Sequence, residues 1–138
     1  MTRNGWRGWR KVYASGSGRK YGNIKAEVDG QTFDSRKEAR RFRELQLLQD
    51  AGAIADLETQ KKYLLIPAQR EPDIIGPRGG RKPGKTIEHE VSYIADFVYK
   101  DTATGATIVE DTKGKRTKEY VIKRKMMLFF HGIRIREI

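Results

Sequence analysis

Four residues of this chain have the types and spacing needed to hydrolyse a phosphodiester: Glu38, Asp96, Asp111 and Lys113. The run Tyr93-Ile-Ala-Asp96-Phe-Val-Tyr99 leads through Lys100-Asp-Thr-Ala-Thr-Gly-Ala106 into Thr107-Ile-Val-Glu-Asp111-Thr-Lys113, a pattern that predicts strand, hairpin, strand. Centring the hairpin between Ala103 and Thr104 sets Asp96 directly opposite Asp111, so the two acids share one face of the sheet. Lys113 joins that face by alternation, while Glu110 and Thr112 point away. Directly opposed like charges destabilise a sheet unless something positive lies between them, and a divalent cation with an ammonium beside it meets that need. Aspartate oxygens are hard ligands suited to Mg²⁺, which takes one or two carboxylates and fills its other positions with water and phosphate. The backbone carbonyl of Thr112 is placed as a further ligand. Lys113 is placed to orient or help deprotonate the attacking water and to neutralise developing charge. A hairpin shifted by one residue would set Asp96 opposite Glu110 instead, but only Asp111 shares a face with Lys113. The alternative role for Asp96 is an ion pair with a core-facing Arg or with Lys113, because an unpaired buried carboxylate is costly.

The elements that must position these residues are legible in outline. Ala26-Glu-Val-Asp29-Gly30-Gln-Thr-Phe33 carries an Asp-Gly turn between short alternating pieces and predicts a small hairpin. A helix follows from Asp34 or Ser35 to about Asp50, ending at Ala51-Gly52. Glu38 lies within its apolar stripe with Phe42 and Leu45. Ser35-Arg-Lys-Glu38 is a capping box, so Glu38 either reaches back to the helix start or faces a cation on the adjoining sheet. Residues 53–60 read as a polar connection and Lys62–Pro67 as a strand. Arg70 to Lys85 has no periodicity and many breakers, which predicts a mobile basic loop at about 70–86 between two strands. Its five Arg and Lys against two acids suit either solvent or a DNA-contacting flap. The apolar Val91–Tyr99 run predicts a central strand covered on both faces, with Val91, Tyr93, Ala95, Phe97 and Tyr99 in one row. Thr117 caps a helix over about Lys118 to Phe130 that is apolar nearly all round and therefore expected to bury more than one side, the second against a partner subunit. His131-Gly132 ends it, His131 facing its last carbonyls, and Ile133–Ile138 alternates as a final strand. His89 lies on the opposite strand face from Glu88 and Glu90 and makes no metal cluster with them.

Composition bounds the rest. The 138 residues make one domain over 23–138 behind a flexible arm over 1–22. There is no cysteine, which excludes thiolate chemistry and suits a reducing cytoplasm, and no apolar run long enough for a membrane span or a signal peptide. The formal charge of +11, from 29 Lys and Arg against 18 Asp and Glu, favours a polyanionic partner. The arm carries Arg7, Arg10 and Lys20 among Trp and Tyr, which suits either a solubilising tail or a clamp that binds phosphates and stacks on bases. Further candidates for phosphate contact are Arg78, Arg81 and Lys82 in the loop and Lys115, Arg116 and Lys123 near the second helix. Isolated acids within a basic surface are what a metal-dependent enzyme acting on nucleic acid would need.

The order of a helix-borne Glu38, strand Asp96, then Asp111-Thr112-Lys113 before a helix resembles the PD-(D/E)xK nuclease superfamily. Lys20-Tyr-Gly-Asn23, Phe33-Asp-Ser-Arg-Lys-Glu38, Tyr93-Ile-Ala-Asp96-Phe and Val109-Glu-Asp-Thr-Lys-Gly114 are similar to a phage-associated family of small endonucleases, some regarded as Holliday junction resolvases. Ala95 stands where the superfamily label has a proline. The resemblance covers about residues 20–138. It implies an α/β (α+β) fold with a mixed central sheet flanked by helices, a restriction-endonuclease-like core. It implies Mg²⁺ or Mn²⁺ at Asp96 and Asp111, Lys113 in catalysis, Glu38 completing the site, branched DNA as substrate and a homodimer in the host cytoplasm. The alternative from the charge alone is a non-catalytic nucleic-acid-binding protein.

Overall fold

A computed structural model of the chain describes residues 25–138. The predicted arm, with Arg7, Arg10 and Lys20, and the Lys20–Asn23 motif lie outside the described residues. Asp29 and Gly30 both take positive φ, 50° and 76°, as a two-residue hairpin turn requires if the strands either side are to keep their right-handed twist. They join β1 (Ala26–Val28) to β2 (Gln31–Phe33). Ser35 then caps α1 (Arg36–Asp50), accepting the Glu38 backbone N–H at 3.1 Å. The chain continues through β3 (Ile54–Ile66), the short strands β4 (Gln69–Arg70), β5 (Ile74–Ile75), β6 (Arg81–Lys82) and β7 (Thr86–Glu88), then β8 (Val91–Asp101), β9 (Thr107–Asp111), α2 (Lys118–His131) and β10 (Arg136–Glu137).

Four strands form the central sheet in the order β10-β9-β8-β3, parallel between β10 and β9 and antiparallel elsewhere, so the sheet is mixed. One face carries Phe97 and Tyr99 against Phe33, Phe42 and Leu45, placing α1 and the first hairpin there. Ring centroids of Phe33 and Phe42 are 4.9 Å apart, and each is 6.2 Å from Phe97. The other face packs Tyr93, Ala95, Val98 and Val109 against Tyr120 and Met127 of α2 and Ile135. The central strand β8 is thus covered on both sides, as its apolar sequence predicts.

The row along β8 is not continuous. Tyr93 and Ala95 pack on the α2 side, whereas Phe97 and Tyr99 pack on the α1 side, so alternation breaks at Asp96. The neighbouring edge strand breaks at the same rung: Thr59 pairs with Phe97 and Lys61 with Ala95, while Gln60 between them has φ 53°. Leu57 accordingly belongs with the α1 side, and Tyr63 and Leu65 with the α2 side. A left-handed residue, together with the bulge near Asp56 (φ 54°), hides the period-2 pattern of β3. This is why residues 54–60, within the stretch 53–60 predicted as a connection, are in fact the first half of a 13-residue strand.

Two other expectations need correction, and a third is left open. The segment over 70–85 is not structureless but folds back as a ribbon, β4 pairing with β7 and β5 with β6. α2 buries Tyr120 and Met127 and leaves Ile122, Leu128, Phe129 and Phe130 exposed, so its second apolar side is open in the single chain. His131 meets the Leu64 carbonyl on β3 at 2.7 Å rather than the carbonyls ending its own helix. Among the described residues no helix is long and apolar enough to cross a membrane.

Glu110 supplies the strongest buried polar anchor. Fully buried on the α1 side, it accepts Arg41 Nε at 2.9 Å and Nη2 at 2.7 Å, and also the Tyr99 hydroxyl. That bidentate pair ties α1 to β9, the two elements carrying Glu38 and Asp111. Removing one partner of such a pair leaves an uncompensated buried charge, at a cost of about 3–5 kcal/mol. Arg41→Ala should therefore destabilise the protein by about that much in urea unfolding, and the double change Arg41→Met/Glu110→Leu by clearly less. Equal losses for the two variants would mean that packing, not charge, is the basis.

Candidate active site

The β8–β9 hairpin has the register expected from its sequence. Phe97 pairs with Glu110, Val98 with Val109 and Tyr99 with Ile108, so the next rung brings Asp96 and Asp111 side by side. Asp101 Oδ1 accepts the N–H groups of Ala103 and Thr104, and Gly105 takes φ 72°, closing the turn symmetrically. At the Asp96 rung the ladder gives way to side-chain bonds. Thr112 N and Oγ1 both donate to Asp96 Oδ2, at 2.8 and 2.7 Å. Thr112 therefore holds the first aspartate with its hydroxyl and amide, a role its predicted part as a carbonyl ligand did not include.

Asp111 ends β9 on the α2 side, almost fully buried. Tyr93 donates its hydroxyl to Oδ2 at 2.5 Å. Lys113 Nζ lies 3.1 Å from Oδ1 but is not directed as a hydrogen bond, which leaves Oδ1 the one buried side-chain polar atom without a hydrogen-bond partner among the described residues. The ammonium also stands over the Tyr120 ring, 4.3 Å from its centroid. Burial, the bond to Asp111 and the charge there all hold the Tyr93 hydroxyl protonated far above its ordinary range, so it remains a donor.

Glu38 arrives from the first turn of α1, buried, with Gln60 Nε2 donating to Oε1 at 2.8 Å. Half of the predicted capping box is present, through Ser35 and the Glu38 N–H. The Glu38 carboxyl is pushed up to about 7, first by burial and then by the charges of Asp96, Asp34 and Asp111. Asp96 is likewise raised, by burial and then by Asp111, with Thr112 and Lys113 acting the other way. Three acids thus press on one another around a single ammonium. Two of them, Asp96 and Asp111, meet at the sheet, and Glu38 lies near enough for the charge on Asp96 to raise its carboxyl. Among the described residues no three acidic or imidazole groups form a ready-made ligand cage. The donor set nevertheless fits a hard cation of the Mg²⁺ kind, which needs only one or two carboxylates and keeps water in its other positions. The buried, unpartnered Asp111 Oδ1 is the atom that most needs such a charge.

Two open clefts flank Lys113. One of about 470 Å³ is lined by Ser35, Lys37, Thr112, Lys115 and Thr117, the other of about 310 Å³ by Ser92, Tyr93, Tyr120 and Lys123. Of the residues predicted to meet phosphates, Lys115 and Lys123 thus border the site, Lys123 also pairing with Glu119 at 3.1 Å. Arg116 is engaged with Glu137, whose carboxyl the Arg124 bond first and the Arg116 and Tyr120 bonds after it hold below its ordinary range. Arg78, Arg81 and Lys82 line neither cleft and belong to the ribbon, Arg78 in the turn between β5 and β6. His89 is exposed and Glu90 pairs with Lys62, so neither joins the carboxylates.

Comparison with known families matches residues 18–136 to a family described as Protein of unknown function (DUF1064). The chain belongs to the DUF1064 family. The matched region of this DUF1064 chain contains Glu38, Asp96, Asp111 and Lys113 and omits Trp6, Arg7, Trp9 and Arg10. No curated protein and no solved structure matches it.

Tyr93, Tyr120 and Gln60 are the site neighbours that sequence reasoning missed. Tyr93 had a usable signal, an aromatic hydroxyl three residues before the aspartate, but regular alternation would have put it on the wrong face. Gln60 had none, lying in a segment read as a connection. The raised Glu38 pKa carries a sign. Between pH 4.5 and about 7 the folded protein binds more protons at Glu38 than the unfolded chain does, so stability falls as pH rises through that window. With divalent ions chelated, Glu38→Gln should be close to neutral in denaturant unfolding at pH 4 and stabilising at pH 8, by up to about 3 kcal/mol. Equal effects at both pH values would contradict the assignment.

Proposed function

We propose that this protein is a metal-dependent endodeoxyribonuclease of the PD-(D/E)xK kind acting on branched DNA. The observation that carries the proposal is the buried, unpartnered Asp111 Oδ1 beside Asp96 with Lys113 at 3.1 Å, an arrangement that wants a cation and already holds an ammonium. Asp96 and Asp111 would hold Mg²⁺ or Mn²⁺, which supplies charge stabilisation to the phosphoryl oxygens and helps activate water. Thr112 fixes Asp96, and Tyr93 fixes Asp111, so both carboxylates are oriented before substrate arrives. Lys113, held over Tyr120, neutralises negative charge developing on the phosphate. Glu38, buried and bonded by Gln60, would hold a metal-bound water or a second cation beside the two aspartates. Lys115 and Lys123 border the two clefts and suit the phosphates either side of the cut bond, while Lys37 donates to the Lys113 and Ile138 carbonyls.

The net charge of +11 and the resemblance to small phage endonucleases support DNA as the substrate. Symmetric cutting of two strands needs two sites, so a homodimer is part of the proposal. The exposed α2 face of Ile122, Leu128, Phe129 and Phe130 is the apolar surface that suits it.

Linear, flapped and four-way DNA incubated with Mg²⁺, and then with chelator, tests the activity. Wild-type protein should give chelator-sensitive product, and Asp111→Asn should reduce cleavage at least about a thousand-fold while DNA retention is unchanged or stronger. Retention that weakens with salt and never yields product would instead favour a non-catalytic binder. In sedimentation, wild type on four-way DNA should run as a dimer and Phe129→Lys as a monomer; a monomeric wild type at high concentration would remove the homodimer.

A further inference from the structure

The ribbon from β4 to β7 has an unusual surface. Among the described residues its strands pair with one another, outside the central sheet. Its shape is set by its own backbone bonds: Glu71 N–H to the Lys85 carbonyl at 2.8 Å and Gly76 N–H to the Gly80 carbonyl at 2.8 Å. At Gly84 the two arms cross so closely that a Cβ would lie 2.0 Å from the Glu71 carbonyl oxygen. Yet the tip exposes Ile74 at 61% and Ile75 at 72%. Cross-strand pairing sets Ile75 beside Arg81 and Ile74 beside Lys82, so each face of the tip carries one apolar group and one cation. From Ile74 to Lys85 there are four Arg or Lys and no acid. Among the described residues only Asp73, 3.9 Å from Arg81, pairs with these cations.

We propose that this ribbon enters the major groove of B-form DNA, with Arg78, Arg81, Lys82 and Lys85 toward the phosphates and the isoleucine of the face turned to the bases, Ile74 or Ile75, against thymine methyl groups. The major groove of B-DNA admits a two-stranded ribbon, and the thymine methyl is the apolar group that a base pair presents there. A surface that is both cationic and apolar matches that groove on each count. The A-form groove of RNA is too deep and narrow for the ribbon, and uracil lacks the methyl. The inference rests on the nuclease proposal for its choice of nucleic acid, and it makes the ribbon the part of the protein that grips duplex beside the cut.

The test measures binding with divalent ions chelated, so it does not depend on cleavage. Wild-type protein is titrated with a thymine-rich duplex, the same duplex with uracil in place of thymine, and the matching RNA duplex. The uracil substitution should weaken wild-type binding about three- to ten-fold, and Ile74→Ser/Ile75→Ser should abolish that difference. Arg78→Ala/Arg81→Ala/Lys82→Ala should lower the dependence of log affinity on log salt by about 2 to 3. Melting temperatures should stay unchanged, since the tip lies outside both cores. Equal wild-type affinity for the thymine and uracil duplexes would overturn the proposal. So would an Ile double variant that keeps wild-type DNA affinity but loses self-association in sedimentation, because the ribbon would then join copies of the chain. A wild-type protein that shows the methyl dependence yet never cleaves DNA with Mg²⁺ would support the ribbon and sink the nuclease.

Discussion

The Arg41 guanidinium is the cation on which the arrangement depends. β9 buries two consecutive carboxylates, Glu110 and Asp111, that point to opposite faces of the sheet. Desolvating a carboxylate costs several kcal/mol unless it is paired and hydrogen-bonded. Glu110 is compensated by a bidentate arginine and a tyrosine hydroxyl. Asp111 has Tyr93 on one oxygen and only a poorly directed ammonium near the other. The first acid makes the strand stable where it stands, so the second can be held in a state that wants a further charge. The carboxylate that anchors the strand and the one proposed to hold a cation are neighbours in sequence and lie on opposite faces of the sheet.

Asp96 reaches the same place by a different device. The side chains of β8 change faces at that residue, and Gln60, on the edge strand beside it, takes a left-handed conformation. Where backbone pairing lapses, Thr112 bonds the Asp96 carboxylate instead, and Gln60 turns its amide to Glu38. The local irregularity in the sheet thus frees two side chains to orient two acids. Irregular strands of this kind are common beside active sites because they re-aim a side chain that regular alternation would misplace.

Much of this was legible in the sequence because the signals were local. The Asp29-Gly30 turn, the Ser35 and Thr117 caps, the ends of both helices and the register of the β8–β9 hairpin each depend on a few adjacent residues. Four residues singled out by type and spacing, Glu38, Asp96, Asp111 and Lys113, do converge, three through direct contacts or adjacency at the sheet and Glu38 through charge. What was hidden depends on residues far apart in sequence. Arg41 gives no sign on its own helix that it will neutralise Glu110, 69 positions away. The left-handed Asp56 and Gln60 disguised a long strand as a connection, and Gly and Pro breakers disguised a paired ribbon as a loop. α2 is apolar on more sides than the chain covers, and its sequence does not distinguish a buried face from one left open.

The central claim is that Asp96 and Asp111 together hold one divalent cation. Titrating metal-free protein with Mn²⁺ and following free Mn²⁺ by electron paramagnetic resonance tests it without substrate or turnover. A site should be present in wild-type protein and lost in both Asp96→Asn and Asp111→Asn, with Glu110→Gln retaining it provided that variant remains folded. Wild-type protein that leaves all the Mn²⁺ free at millimolar concentrations, or a site that survives both aspartate substitutions, would contradict the account.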